Sequence, residues 1–127
     1  MLDNVAREAG RRVLSGTSTV PAISSSVAAS LCEGLDEILL IDCAVLPGNR
    51  APRGRSVVAS ILGQLGETSR SWRGGMWRDQ ICWSDARKIA VAPGIERTAR
   101  YIEVPDVVLF AEFFKARSVV FLSLIHI

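Results

Sequence analysis

The sequence predicts a mixed α/β fold of the α+β kind, with a mixed, largely antiparallel sheet and flanking helices. Three observations carry that expectation. Residues 37–45 contain a nearly continuous aliphatic run (Ile38, Leu39, Leu40, Ile41 and Val45), the pattern of a strand buried on both faces. Residues 70–78 read as a β-hairpin around Gly74-Gly75, a pair that supplies the positive φ angles of a tight turn. Between these, Val57, Val58, Ile61, Leu62 and Leu65 fall on one helical face that Gly66 closes.

At 127 residues the chain is about one domain long, enough to bury roughly two-thirds of the surface its unfolded form exposes. A composition of 49% hydrophobic and 22% charged residues is that of a globular protein rather than a disordered or fibrous one. The net charge of +2 is too small to argue for nucleic acid, although arginine supplies all but two (Lys88 and Lys115) of the 15 basic residues. No nucleic-acid partner is therefore expected. Cys32, Cys43 and Cys82 are odd in number and widely spaced, which indicates neither a disulfide framework nor a metal knuckle, so three buried, reduced thiols are expected. With one histidine, His126, no metal site is expected either. Asp42 and Glu112 interrupt the two longest apolar runs below the ~18 residues of a membrane span. Met1-Leu2-Asp3-Asn4 lacks the basic-then-apolar pattern of a signal peptide, so a cytoplasmic location is expected.

Taken in order, Leu2, Val5, Ala6 and Ala9 have helical spacing, with Asp3 as N-cap and Gly10 as stop. Residues 12–15 look like a strand and residues 16–21 like the loop at its end. Pro21 suits the first turn of a helix over residues 22–31, which Gly34 ends. Asp42, inside the apolar strand, is either hydrogen-bonded at an edge or a perturbed catalytic carboxylate. Trp72 and Trp77 alternate with arginines on the two arms of the hairpin, and Trp83 follows in the second arm. That spacing suits stacking on nucleic acid less than packing of the tryptophans against a core or a partner. Two more strands are expected at residues 88–91 and 99–104, with the Pro93-Gly94 turn between them. A helix starts at Val104-Pro105-Asp106 and runs through Phe113, and a final strand begins at residues 118–121 without room to finish.

The loop Leu46-Pro47-Gly48-Asn49-Arg50-Ala51-Pro52-Arg53-Gly54 joins the apolar strand to a helix, which is where α/β folds place anions. It misses the phosphate loop GxxxxGK[ST] by one residue between the glycines, by arginine in place of lysine, and by an N–H lost at Pro52. A looser anion site on its arginines and a solvated basic turn both remain. Gly16-Thr17-Ser18-Thr19-Val20 half-matches a nucleophile elbow but lacks the second glycine and a base. GxGxxG is absent. Asp42, Lys88 and Tyr101 are chemically able to move protons, but spacing assigns the catalytic role to none of them.

Read together, Ser18-Thr19-Val20-Pro21, the run 46–54, Trp72-Arg73-Gly74-Gly75-Met76-Trp77 and Val104-Pro105-Asp106-Val107-Val108-Leu109-Phe110 resemble the bacterial saccharopine dehydrogenase-like oxidoreductases. The resemblance runs to about Phe121. It implies that residues 1–20 are the last helix and strand of a Rossmann NAD(P)-binding domain, and that residues 21–121 belong to an incomplete substrate and dimerisation domain. Ser18, Thr19 and Pro21 would then lie beside the nicotinamide, and Arg50 and Arg53 in a substrate-side loop. Ala22 stands where wider relatives have glycine, and Gly74 where close relatives often have an acid. The implied activity is hydride transfer between NAD(P) and a small-molecule substrate in an intact parent, with a homodimer as partner. No cofactor is expected on this fragment alone. A non-catalytic interaction or dimerisation module on the same scaffold is the alternative. Leu122-Ser123-Leu124-Ile125-His126-Ile127 looks like the translation of a transposase-end adapter, so residues 122–127 are expected to be a non-native tail in which His126 has no function.

Overall fold

A computed structural model describes residues 2–48, 52 and 54–124. The chain runs through α1 (Leu2–Glu8), an irregular turn Thr19–Ile23, α2 (Ser24–Cys32), β1 (Ile41–Val45), α3 (Arg55–Gly63), β2 (Thr68–Arg73), β3 (Met76–Ile81), β4 (Arg87–Ala92), β5 (Ile95–Tyr101), α4 (Pro105–Phe113) and β6 (Val119–Ser123). The six strands form one mixed, mostly antiparallel sheet in the order β3-β2-β6-β5-β4, with β1 paired to β6. Arg50 and Arg53, expected on the substrate side, lie outside the described residues.

β6 is where the sheet is joined. Along one edge it pairs in parallel with β1, Ile41 against Val119 through Val45 against Ser123. Its other edge is shared end to end, by β2 at Trp72–Val119 and by β5 at Tyr101–Leu122 and Arg100–Ser123. Neighbours on both edges satisfy its backbone, and burial on both faces needs apolar side chains on both, which Val119-Val120-Phe121-Leu122 supplies. Every residue of β6 is buried. The expectation of a last strand without room to finish is corrected: β6 takes in Leu122 and Ser123, and the Leu124 N–H donates to the Val45 carbonyl at 3.1 Å.

The two hairpins hang from this strand. Gly74 and Gly75, at φ +61° and +81°, make the two-residue turn that sets Trp72 opposite Trp77, with ring centroids 5.0 Å apart and planes at 62°. Trp72 Nε1 donates to the Ala116 carbonyl at 2.7 Å, and the Arg70 guanidinium lies 5.2 Å from the Trp77 ring centre. The tryptophans therefore stabilise the hairpin and its seat on the β6 approach. Trp83 is not in the second arm, because β3 ends at Ile81; it is buried at φ +66° with its N–H donating to the Tyr101 carbonyl at 2.7 Å. β4 and β5 form the second hairpin around Pro93-Gly94, with β5 ending at Tyr101 rather than reaching residue 104.

Two strand expectations are corrected. Residues 12–15 form no strand, and Val13 and Leu14 are 63% and 78% exposed, since no strand among the described residues pairs with them. The run 37–45 is a strand only over β1, which pairs with β6 alone among the described residues; Leu39 and Leu40 are exposed. The helix expected over residues 22–31 is α-helical over Ser24–Cys32, preceded by the Thr19–Ile23 turn in which Val20 is extended (φ −121°, ψ 117°). α3 forms where its apolar periodicity places it, yet Val57, Val58, Leu62 and Leu65 are exposed. Of the three cysteines, all free, only Cys82 is buried; Cys32 and Cys43 are half-buried.

Phe121, fully buried at the middle of β6, is one of the largest fully buried side chains, so its loss opens a large void against α4. Phe121→Ala is expected to cost about 3–5 kcal/mol in urea unfolding, a large share of a small domain's stability. A loss under about 1 kcal/mol would show that the strand is not the packed centre.

Candidate functional site

Side chains alternate across a strand, so Cys43 and Phe121, opposite one another in the β1–β6 ladder, share the sheet face that α4 covers, while Asp42, Val120, Leu122 and Tyr101 share the other. On the α4 face a cavity of about 390 Å³ opens between the Thr19–Ile23 turn, α2, β1 and α4. Thr19 and Val20 form its lip, Val27 and Leu31 of α2 one wall, Ile41, Cys43 and Val45 the opposite wall, and Phe110 and Phe121 its base. The volume is at the small end of ligand sites, and the lining is mainly aliphatic and aromatic.

The turn that carries the lip is held by local chemistry. Gly16, at φ +73°, lets the chain fold back so closely that a Cβ there would stand 3.2 Å from Pro21 Cγ. Ser18 Oγ donates to the Val20 carbonyl at 2.5 Å, so this hydroxyl is committed within the loop. Of the three residues expected beside a nicotinamide, Thr19 borders the cavity, while Ser18 is exposed and Pro21 half-buried behind the lip.

One polar pair marks the wall. The Ser24 hydroxyl, at the start of α2, donates to Oδ1 of Asp106, in the first turn of α4. Asp106 is fully buried, and its Oδ2 has no hydrogen-bond partner among the described residues. Burial pushes the Asp106 carboxyl above the usual carboxylate range, and the Ser24 hydrogen bond offsets only part of that. Cys43 lies close enough to feel it: burial first, then the Asp106 and Asp42 charges, raise its thiol pKa. A thiol held in its protonated form is a poor nucleophile, so Cys43 acts here as an apolar wall.

The three proton-moving candidates are placed apart from this pair. Both Asp42 carboxylate oxygens accept from Arg87 Nη2 at 2.7 Å, tying β1 to β4 across the far face of the sheet. With both partners partly exposed, that pair contributes at most about 1 kcal/mol. Tyr101 is buried on the same far face and donates its hydroxyl to the Arg70 carbonyl at 3.1 Å. Lys88 is exposed on β4. Sequence reasoning missed Ser24 and Asp106: Asp106 follows Pro105 at a helix start, where an acid reads as a complement to the helix dipole. Among the described residues no cluster of His, Cys, Asp and Glu has the geometry of a metal site, and no helix is long and apolar enough to cross a membrane.

A carboxyl whose folded pKa is raised stabilises the fold below the unfolded aspartate value of about 3.9 and loses that contribution as pH rises through the folded value. Urea unfolding of wild type and Asp106→Asn across pH 3.5–8 is thus expected to show the variant gaining on the wild type as pH rises. A difference that is flat, or reversed in sign, would contradict the buried-carboxyl account. Compared with known proteins, the chain matches no family model and no curated protein.

Proposed function

We propose that this chain is the substrate-side and dimerisation part of a cytoplasmic NAD(P)-dependent oxidoreductase of the saccharopine dehydrogenase-like kind, inactive by itself. In the intact parent a hydride would pass between the nicotinamide and a small-molecule substrate. The observation that carries the reading is the position of Thr19 and Val20: the loop expected beside a nicotinamide borders an apolar cavity of ring-accommodating size. Arg50 and Arg53, which lie outside the described residues, are the proposed contacts for an acidic group of the substrate.

The described residues do not fit a whole dinucleotide. A pyrophosphate needs converging N–H donors or cations, whereas the cavity lining holds no Lys or Arg and has two carboxylates, Asp106 and Asp42, beside it. Holding NAD(P) would fall to other parts of the parent, so no hydride-transfer step is derived from these residues.

A second reading, an interaction or dimerisation module without catalysis, is favoured by one specific observation. Ile23, at the end of the Thr19–Ile23 turn, and Val27 and Leu31 of α2 form an exposed i, i+4, i+8 apolar stripe, and Phe113 on α4 is 74% exposed. Calorimetric titration of NAD(H) and NADP(H) into residues 1–127 is expected to give no measurable binding; micromolar affinity would overturn the proposal as stated. The upstream coding sequence separates the two readings: an in-frame GxGxxG supports the oxidoreductase, and a stop codon immediately before Met1 supports the module.

A further inference from the structure

The cavity beside α2 has a polarity of one sign. Among the described residues its lining contains no Lys, Arg or His. Behind the wall made by Ser24, Cys43 and Phe110 stands Asp106, fully buried, with Oδ2 unpartnered. Ser24 spends its one hydroxyl proton on Asp106 Oδ1, so what it still offers to the cavity is lone pairs. The one carboxylate residue in the lining, Asp42, is paired on the far face of the sheet with Arg87, which engages both of its oxygens. An apolar cavity with the Ser24–Asp106 acceptors at its wall, and no cation in its described lining, favours N–H donors over carboxylates and phosphates.

We propose that this cavity is a binding site for a small apolar molecule bearing a protonated amine, whose ammonium group donates to Ser24 Oγ under the charge of Asp106. The apolar body lies against Val27, Leu31, Ile41 and Phe110, which supply contact area but no polar alternative. The amine compensates what the fold leaves open: a buried carboxyl that burial disfavours in its charged form gains a counter-charge in a low-dielectric setting. The site requires no cofactor, so it stands or falls separately from the oxidoreductase reading.

Three probes of matched shape and different charge test this on residues 1–127 by amide chemical-shift titration: benzylamine, benzyl alcohol and benzoate. Benzylamine is expected to give saturable shifts at Ser24, Cys43 and Phe110, with binding about tenfold or more tighter than benzyl alcohol and no binding by benzoate. Asp106→Asn is expected to erase the preference for benzylamine over benzyl alcohol. Val27→Trp, which fills the cavity from its open wall and leaves the Ser24–Asp106 pair in place, is expected to abolish binding of both. Equal or tighter binding of benzoate or benzyl alcohol, shifts confined to other elements, no saturable shift with any probe, or benzylamine binding that survives Val27→Trp would each overturn the proposal.

Discussion

The burial of β6 on both faces and both edges is the constraint on which the rest of the structure depends. Five residues, Val119–Ser123, hold β1 in parallel on one side and two separate hairpins on the other. An interior strand leaves no N–H or C=O for water to satisfy, so its neighbours must be in register or the strand is lost. That requirement places Cys43 opposite Phe121 under α4, and so sets the wall and base of the cavity. It also turns the Tyr101 and Asp42 side chains to the far face, although Asp42 still borders the cavity.

The Ser24–Asp106 hydrogen bond performs a second, smaller joining task. It links the first turn of α2 to the first turn of α4 over the edge of the sheet, and the Thr19–Ile23 turn is carried with α2. The cost is a carboxyl taken out of water and half-satisfied, an arrangement that tends to persist where it serves a ligand or a conformation. The electrostatics of the cavity sit awkwardly with a bound pyrophosphate and comfortably with a ligand that donates hydrogen bonds. A parent oxidoreductase would therefore need its phosphate contacts outside this lining.

What was legible in the sequence was what local chemistry decides. Gly74-Gly75 could hardly be anything but a hairpin turn, Pro105 suits the start of a helix, and Gly34 at φ +78° follows α2 as a stop. The dominance of strands in the second half followed from the spacing of those signals, and the mixed, mostly antiparallel sheet they form is what the family resemblance implied. What was not legible depends on partners distant in sequence. Val13 and Leu14 have strand propensity but no described strand to pair with, and the aliphatic run 37–45 looked doubly buried because nothing local says that β1 has one neighbour. Likewise the α3 stripe announces a buried face, and the fold leaves it exposed. Of the site, Thr19 was named through a family resemblance, whereas Asp106 carried only the ordinary signature of a helix start. Its burial comes from β1 and α2 closing over it, which no spacing within α4 encodes.

Native-state hydrogen exchange tests the central claim about β6 most directly, because it reads the stability of each strand separately. The account predicts that amides of Val119–Ser123 and their β1 partners exchange last, only through global unfolding, while those of α1 and residues 11–17 exchange first. If β6 exchanged as fast as α1, or if the β2–β3 hairpin outlasted it, the sheet would not be organised around this strand.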